Sequence, residues 1–234
     1  GDRLSEQFVA FRNTADPVSY LRVLETLHIV PLTIHSPQYP ALLKEIPDAP
    51  FVLYVLGKKR DTPIDMGRTI AVVGTRHMTP YGKEVTERLV RGLVEYGVTI
   101  VSGMAIGVDT VAHWAAINAG GKTIAVLGCG IDIVAPASNA RLYHAIAEGG
   151  GAIVSEMPLG LRPDKGLFVT RNRIISGLSL GVVVTEGTEH SGALITAGCA
   201  LEQGREVFAV LGPITTPTSQ GTHHLLKDGA KLVT

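Results

Sequence analysis

The feature that most restricts this chain is a repeated pairing of a short apolar run with a helix-like segment, which begins near residue 67 and continues to about residue 212. TIAVVG at 69–74 precedes a helical stretch from Pro80 to Tyr96, VTIVSG at 98–103 a helix near 108–119, and KTIAVLG at 122–128 one near 137–148. The alternation goes on through GAIVSE at 151–156, a short helix near 172–179, GVVVTEG at 181–187, a helix at 191–203 and EVFAVLG at 206–212. These runs lack the polar alternation of a strand with one wet face. They predict strands buried on both sides, as parallel strands between two helix layers are. The fold class is therefore α/β, a doubly wound, mostly parallel sheet with helices on both faces. Upstream, Pro17, Pro31, Pro37, Pro40, Pro47, Pro50 and Pro63 break long helices and central strands. Residues 1 to about 66 accordingly read as short elements wrapped round a larger body.

Composition sets the remaining bounds. The chain has 234 residues, of which 45% are hydrophobic and 18% charged, too apolar a mix for disorder. No run approaches the roughly 18 apolar residues of a membrane helix, and the opening GDRLSEQFVAFRN lacks the basic and apolar blocks of a signal peptide. Only Cys129 and Cys199 are present, which excludes a disulfide scaffold and suits a reducing cytosol. Lys plus Arg number 21 and Asp plus Glu 21, so the net charge is zero and no strong global attraction for nucleic acid is expected. No third of the chain is basic as a block. Any positive site must be local.

Glycine marks where such a site would lie. Gly74, Gly103, Gly128, Gly187 and Gly212 each fall just past a strand, where open α/β sheets bind ligands and helix N-termini attract anions. Tight turns alone also explain any single one of them. VVGTR at 72–76 combines Gly74 and Thr75 with the guanidinium of Arg76 before a helix, but GxGxxG and P-loop patterns are absent. SGMAIGVD at 102–109 presents Ser102 and Gly103 and reaches Asp109, either a helix-start residue or a ligand contact. TEGTEHSG at 185–192 puts Ser191 and Gly192 at a helix start, suited to a phosphate or to a plain N-cap.

The most unusual segment is LRPDKGLFVTRNRIISGLS at 161–179. Arg162, Lys165, Arg171 and Arg173 there face Asp164 alone as counter-charge, with Phe168 in their midst. Cations interleaved with an aromatic describe a single-strand nucleic-acid surface, whereas the plainer alternative is a solvated loop anchored by Phe168. Catalytic patterns are weak. GxSxG and HExxH are missing, Asp109 and His113 form a lone i,i+4 pair without a third metal ligand, and Glu156 and Glu186 are strand-end carboxylates of undefined geometry. His223 and His224 read as loop or dimer-surface residues.

With these segments in order, the chain resembles the DprA (also called Smf) family of DNA-processing proteins. The resemblance runs from about residue 28 onward and rests on HSPQYPALLKEIPDAPFVLYVLG, VVGTR, SGMAIGVDTVAH, KTIAVLGCGID, SEMPLG, FVTRNRIISGLS and SGALITAGCALEQGREVFAV. It implies an extended Rossmann-like domain over 31–234 and a short, partial or trimmed helical segment over 1–30. It also implies a cytoplasmic, non-enzymatic homodimer without a cofactor or metal. Such a protein binds single-stranded DNA, helps load the RecA recombinase during natural transformation, and acts against single-strand-binding protein. The residues it carries over to DNA contact are Arg76, Lys165, Phe168, Arg171 and Arg173, with Asn172 in the same motif, and Gly74, Thr75, Ser102, Gly103, Ser191 and Gly192 for the phosphate pocket. Thr170 replaces the proline usual before RNR and is expected to loosen the basic loop. Ala135 before Pro136, LGPITT after the last long strand and GTHHLL at 221–226 are further departures, the last two lying where the family makes its partner contacts. The competing reading is a nucleotide-processing hydrolase that uses Glu156 or Glu186 as acid or base, although the PGGxGT loop of such enzymes is absent.

Overall fold

A computed structural model describes residues 2–58 and 67–233, with side chains from residue 5; Pro63 lies outside the described residues. The chain opens with α1 (Asp2–Thr14) and α2 (Pro17–Thr26), whose start is capped by the Asp16 carboxylate accepting from the Val18 and Ser19 amides. There follow β1 (Ile29–Thr33), α3 (Ala41–Lys44) and β2 (Val52–Gly57). The regular part then runs β3 (Thr69–Val73), α4 (Pro80–Glu95), β4 (Thr99–Ser102), α5 (Val108–Asn118), β5 (Thr123–Leu127), α6 (Ala140–Glu148) and β6 (Ala152–Ser155). It continues with α7 (Lys165–Gly177), β7 (Gly181–Val184), α8 (Gly192–Glu202), β8 (Glu206–Val210), α9 (Gln220–Lys227) and β9 (Lys231–Val233). The expected alternation is borne out.

The strands form one sheet in the order β1-β2-β6-β5-β4-β3-β7-β8-β9. All pairings from β6 to β9 are parallel, while β1 and β2 extend one edge antiparallel, with Tyr54 opposite Ser155. β9, which the sequence reading did not foresee, lengthens the other edge.

Why apolar runs were needed is visible in the packing. Ala71 and Val73 bury against one helix layer with Ile174 of α7 and Ala197 of α8, while Val72 between them faces Val90 of α4 and Ala112 of α5. Ile124 and Val126 likewise face the α7 side, and Ala125 and Leu127 face Leu142 of α6. Successive residues of one strand thus enter opposite cores, as the period of two dictates. Among the described residues no helix is long and apolar enough to cross a membrane.

The connections leave β3 toward α4 on one face and β7 toward α8 on the other, although β3 and β7 are neighbours. Strand order therefore reverses between them. A crevice must open outside their carboxyl ends, and it is there that open α/β sheets bind ligands.

Candidate functional site

The crevice is a cavity of about 470 Å³ at the ends of β3 and β7. Its walls carry Gly74, Thr75 and Arg76 after β3, Lys165, Phe168, Arg171 and Asn172 of α7, and Ser191 and Gly192 at the start of α8. Segments from residues 74 to 192 thus meet at one point, and nine of the twelve expected site residues line it. His77, Val169 and Thr188 also line it and were missed. His77 follows the GTR motif directly and was the most accessible of the three to sequence reasoning.

The arginine-rich segment is a helix and not a loop. Asp164 caps it by accepting from the Gly166 amide at 2.8 Å, which sets Lys165 as its first residue, and the Thr170 hydroxyl donates to the Gly166 carbonyl at 3.1 Å. Thr170 continues the helix and does not loosen it. The helical phase then sorts the cations. From Phe168, at about 100° per residue, Lys165, Arg171 and Asn172 lie within about 60° while Arg173 lies about 140° away.

Arg173 accordingly turns from the cavity. Its Nε donates to Asp48 at 2.6 Å and its Nη2 to Glu156 at 2.7 Å, with the guanidinium side chain only 13% exposed. This departs from the expectation that Arg173 meets DNA phosphate, because Asp48 from the segment before β2 and Glu156 from the end of β6 already hold its guanidinium. Arg173→Ala is expected to cost about 1.5–3 kcal/mol of unfolding free energy, the range for a hydrogen bond to a charged group. Urea denaturation beside an oligonucleotide titration checks this, with stability falling and affinity unchanged.

Arg171 lines the cavity but is buried, 5% exposed. Its Nη1 donates to the carbonyls of Gly103 and Val126, closing the ends of β4 and β5. Asp109 sits beside it and accepts from the amides of Gly103 at 3.1 Å and Ala105 at 3.3 Å. Burial pushes the Asp109 carboxyl up, and the Arg171 charge works against that. Gly103 is needed for room, since a Cβ there would stand 2.5 Å from the Arg171 guanidinium. Ser102 is also no phosphate donor: fully buried and away from the cavity, its hydroxyl donates to the Val72 carbonyl at 2.7 Å.

Three other sequence readings resolve similarly. The Asp109–His113 pair holds no metal-ligand cluster among the described residues. His113 is fully buried, and because the Thr123 hydroxyl donates to the Ile100 carbonyl at 2.8 Å, it accepts from His113 Nδ1 at 2.6 Å and leaves Nε2 unprotonated. His223 and His224 lie within α9, with His223 Nε2 2.9 Å from the Gly212 carbonyl. Neither glutamate lines the cavity. Glu156 pairs with Arg173, and Glu186, 2% exposed, accepts from the Thr79 amide and hydroxyl at 2.8 and 2.6 Å and from the Thr218 hydroxyl at 3.1 Å.

That last arrangement has a consequence for ligand choice. Thr79 is the N-cap of α4, the helix after the first parallel strand, where Rossmann-like folds hold a dinucleotide pyrophosphate. Here the Glu186 carboxylate already sits at that helix start, and its charge opposes an external phosphate there. The open helix start is that of α8: Ser191 accepts from the Ala193 amide at 3.3 Å as an N-cap, and a Cβ at Gly192 would meet nothing within 4 Å.

Burial lowers the pKa of His113 to about 3, with the Arg171 charge adding to the effect. Its folded value lies below the ordinary 6.5, so the unfolded chain takes up the proton first as pH falls. Between pH 6.5 and 3 this one group is expected to lower stability by up to about 1.4 kcal/mol per pH unit. Urea denaturation from pH 7 to pH 4 checks it. His113→Asn is expected to lose that slope.

A family model described as DNA recombination-mediator protein A matches residues 31–234. The chain belongs to that family. The Escherichia coli (strain K12) protein Smf is 47% identical over 207 residues, covering 88% of this chain and 54% of that one. The chain therefore spans about half the length of that relative. Among solved structures, DNA processing protein A from Streptococcus pneumoniae superposes with a TM-score of 0.82 at 44% identity, covering 88% of this chain and 71% of that one. The Helicobacter pylori protein of the same name, described for its single-stranded DNA binding mode, gives 0.76 at 32% identity, covering 87% and 90%. The family's Rossmann-like architecture is thus shared, and the resemblance carried by the motifs is confirmed.

Proposed function

We propose that the cavity between β3 and β7 binds single-stranded DNA, and that the chain acts without chemistry of its own as a cytoplasmic, homodimeric mediator that loads RecA recombinase and acts against single-strand-binding protein. The observation that carries the DNA reading is the convergence of two exposed cations, Arg76 and Lys165, on one half-buried ring, Phe168. Arg76 lies over that ring at 5.7 Å. In this reading Arg76 and Lys165 meet phosphates, the Thr75 hydroxyl and the Gly192 amide add neutral donors, and Phe168 stacks a base for about 1–3 kcal/mol. Arg171 supports the wall. The Helicobacter pylori relative's single-stranded DNA binding supports the same ligand.

Three or four cations in contact would give a salt slope of about 2–3, whereas the two exposed ones give about 1.4. Titration of labelled single-stranded and duplex oligonucleotides at two salt concentrations tests the reading. Single-strand preference with that slope is expected, while a duplex preference or a slope near zero overturns it. Steady release of base from nucleoside monophosphates would overturn the non-enzymatic part.

A further inference from the structure

The segment that carries Arg76 is fixed at both ends by a single residue outside the cavity. Thr75 donates its amide to the Glu186 carbonyl at 2.7 Å, and Thr79 donates its amide to the Glu186 carboxylate at 2.8 Å. Arg76, His77 and Met78 span the interval between those two anchors. Glu186 is buried and lines no part of the cavity, whereas Arg76 is exposed and lies over Phe168. The direction of Arg76 is therefore set by the backbone that Glu186 holds.

We infer that Glu186 is a positioning residue for single-strand binding, which aims Arg76 at the strand by holding both ends of its loop. The inference rests on the single-stranded DNA reading above and adds to it a residue that meets no part of the strand itself. A carboxylate only accepts, and three donors converge on this one. The Thr79 amide reaches Oε2, and the hydroxyls of Thr79 at 2.6 Å and Thr218 at 3.1 Å reach Oε1. The Thr79 hydroxyl accepts from the Gly82 amide at 3.1 Å, which leaves its own proton for Glu186. Glutamine has nearly the same shape, but its NH₂ leaves at least one of the three donors without an acceptor.

The surroundings leave room for this junction and brace it. A Cβ at Gly82 would stand 2.1 Å from Glu186 Oε2, and one at Gly74 would stand 2.8 Å from the Glu186 carbonyl. Thr218 is itself held in place: its carbonyl accepts from the Gly187 amide at 2.7 Å, and the Gly187 carbonyl accepts from the Gly221 amide at 2.8 Å. The carboxylate is thus buttressed by the turn before α9 as well as by α4. The sign of its effect separates positioning from plain electrostatics. As a charge alone, Glu186 repels phosphate, so its neutralisation would strengthen binding of a polyanion. As a positioning residue, its loss weakens binding.

The test is a double-mutant cycle read by oligothymidylate titration, with Glu186→Gln made in the unmodified protein and in Arg76→Ala. In the unmodified protein Glu186→Gln is expected to weaken binding about 5- to 20-fold, part of the roughly 10- to 150-fold that one charged contact is worth. The salt slope should fall with it, by up to about 0.7. In the Arg76→Ala background the same change should alter affinity by less than about 2-fold, because the side chain it aims is gone. Unchanged or tighter binding by Glu186→Gln, or a comparable loss in both backgrounds, overturns the positioning role. Urea denaturation verifies folding. Where Glu186→Gln does not fold, Thr79→Val takes its place in the cycle with the same outcomes, and Thr79→Ser, which keeps the hydroxyl, should bind as the unmodified protein does. Failure of the parent reading looks different: there the unmodified protein shows no salt-dependent single-strand binding, or Arg76→Ala leaves it undiminished, and the positioning role falls with it.

Discussion

Arg171→Ala is expected to cost about 3–5 kcal/mol of unfolding free energy, the penalty for removing one partner of a buried charge pair. The loss has two sources. The Gly103 and Val126 carbonyls lose their donor at the ends of the two central strands, and Asp109 keeps a buried carboxylate with no cation beside it. Urea denaturation at neutral pH measures the first-order effect. Acid should recover part of it: without Arg171 the Asp109 pKa, already raised by burial, rises further. The folded state then holds a proton that the unfolded state has released, so stability climbs as pH falls through the folded value. A second variant separates the two sources. Arg171→Ala with Asp109→Asn removes the stranded charge and should regain part of the loss at neutral pH. A stable Arg171→Ala protein with only its DNA affinity reduced would contradict this account of the buried pair.

Arg76→Ala with Lys165→Ala is expected to do the reverse, weakening single-strand binding by at least about 150-fold, as two charged contacts at about 1.5–3 kcal/mol each imply. Both side chains are exposed, so unfolding free energy should change by no more than about 0.5 kcal/mol. The salt slope should fall by about 1.4, because each phosphate contact on a single strand releases about 0.7 of a counterion. Oligonucleotide titrations across salt concentrations read both quantities. Undiminished affinity would remove the cavity from the DNA path. Together with Arg173→Ala, these variants divide the basic motif residues into two exposed contacts, one buried brace and one guanidinium held by Asp48 and Glu156.

The fold was largely legible because buried parallel strands demand apolar runs, and TIAVVG, KTIAVLG and GVVVTEG could hardly be anything else. β9 was not, since Lys231, Leu232 and Val233 make only three residues at an edge, half exposed and without the central strands' signature. The helix from Lys165 was within reach: Pro163 and Asp164 are a start signal, and Asp164 proves to be the cap. Read as a helix from that point, its periodicity alone would have separated Arg173 from Phe168. The partners that hold Arg173 and Arg171 were beyond reach, because Asp48 and the Gly103 carbonyl are 125 and 68 residues away along the chain.

What the sequence by itself determined, then, is the layered α/β fold, the strand-end position of the cavity and the family. These follow from local periodicity and from motifs that keep their order. Only the tertiary structure decided which cations are free to meet a ligand. A guanidinium is available or consumed according to the carbonyls and carboxylates packed against it, and those come from strands and loops that the chain brings together only when the sheet is closed.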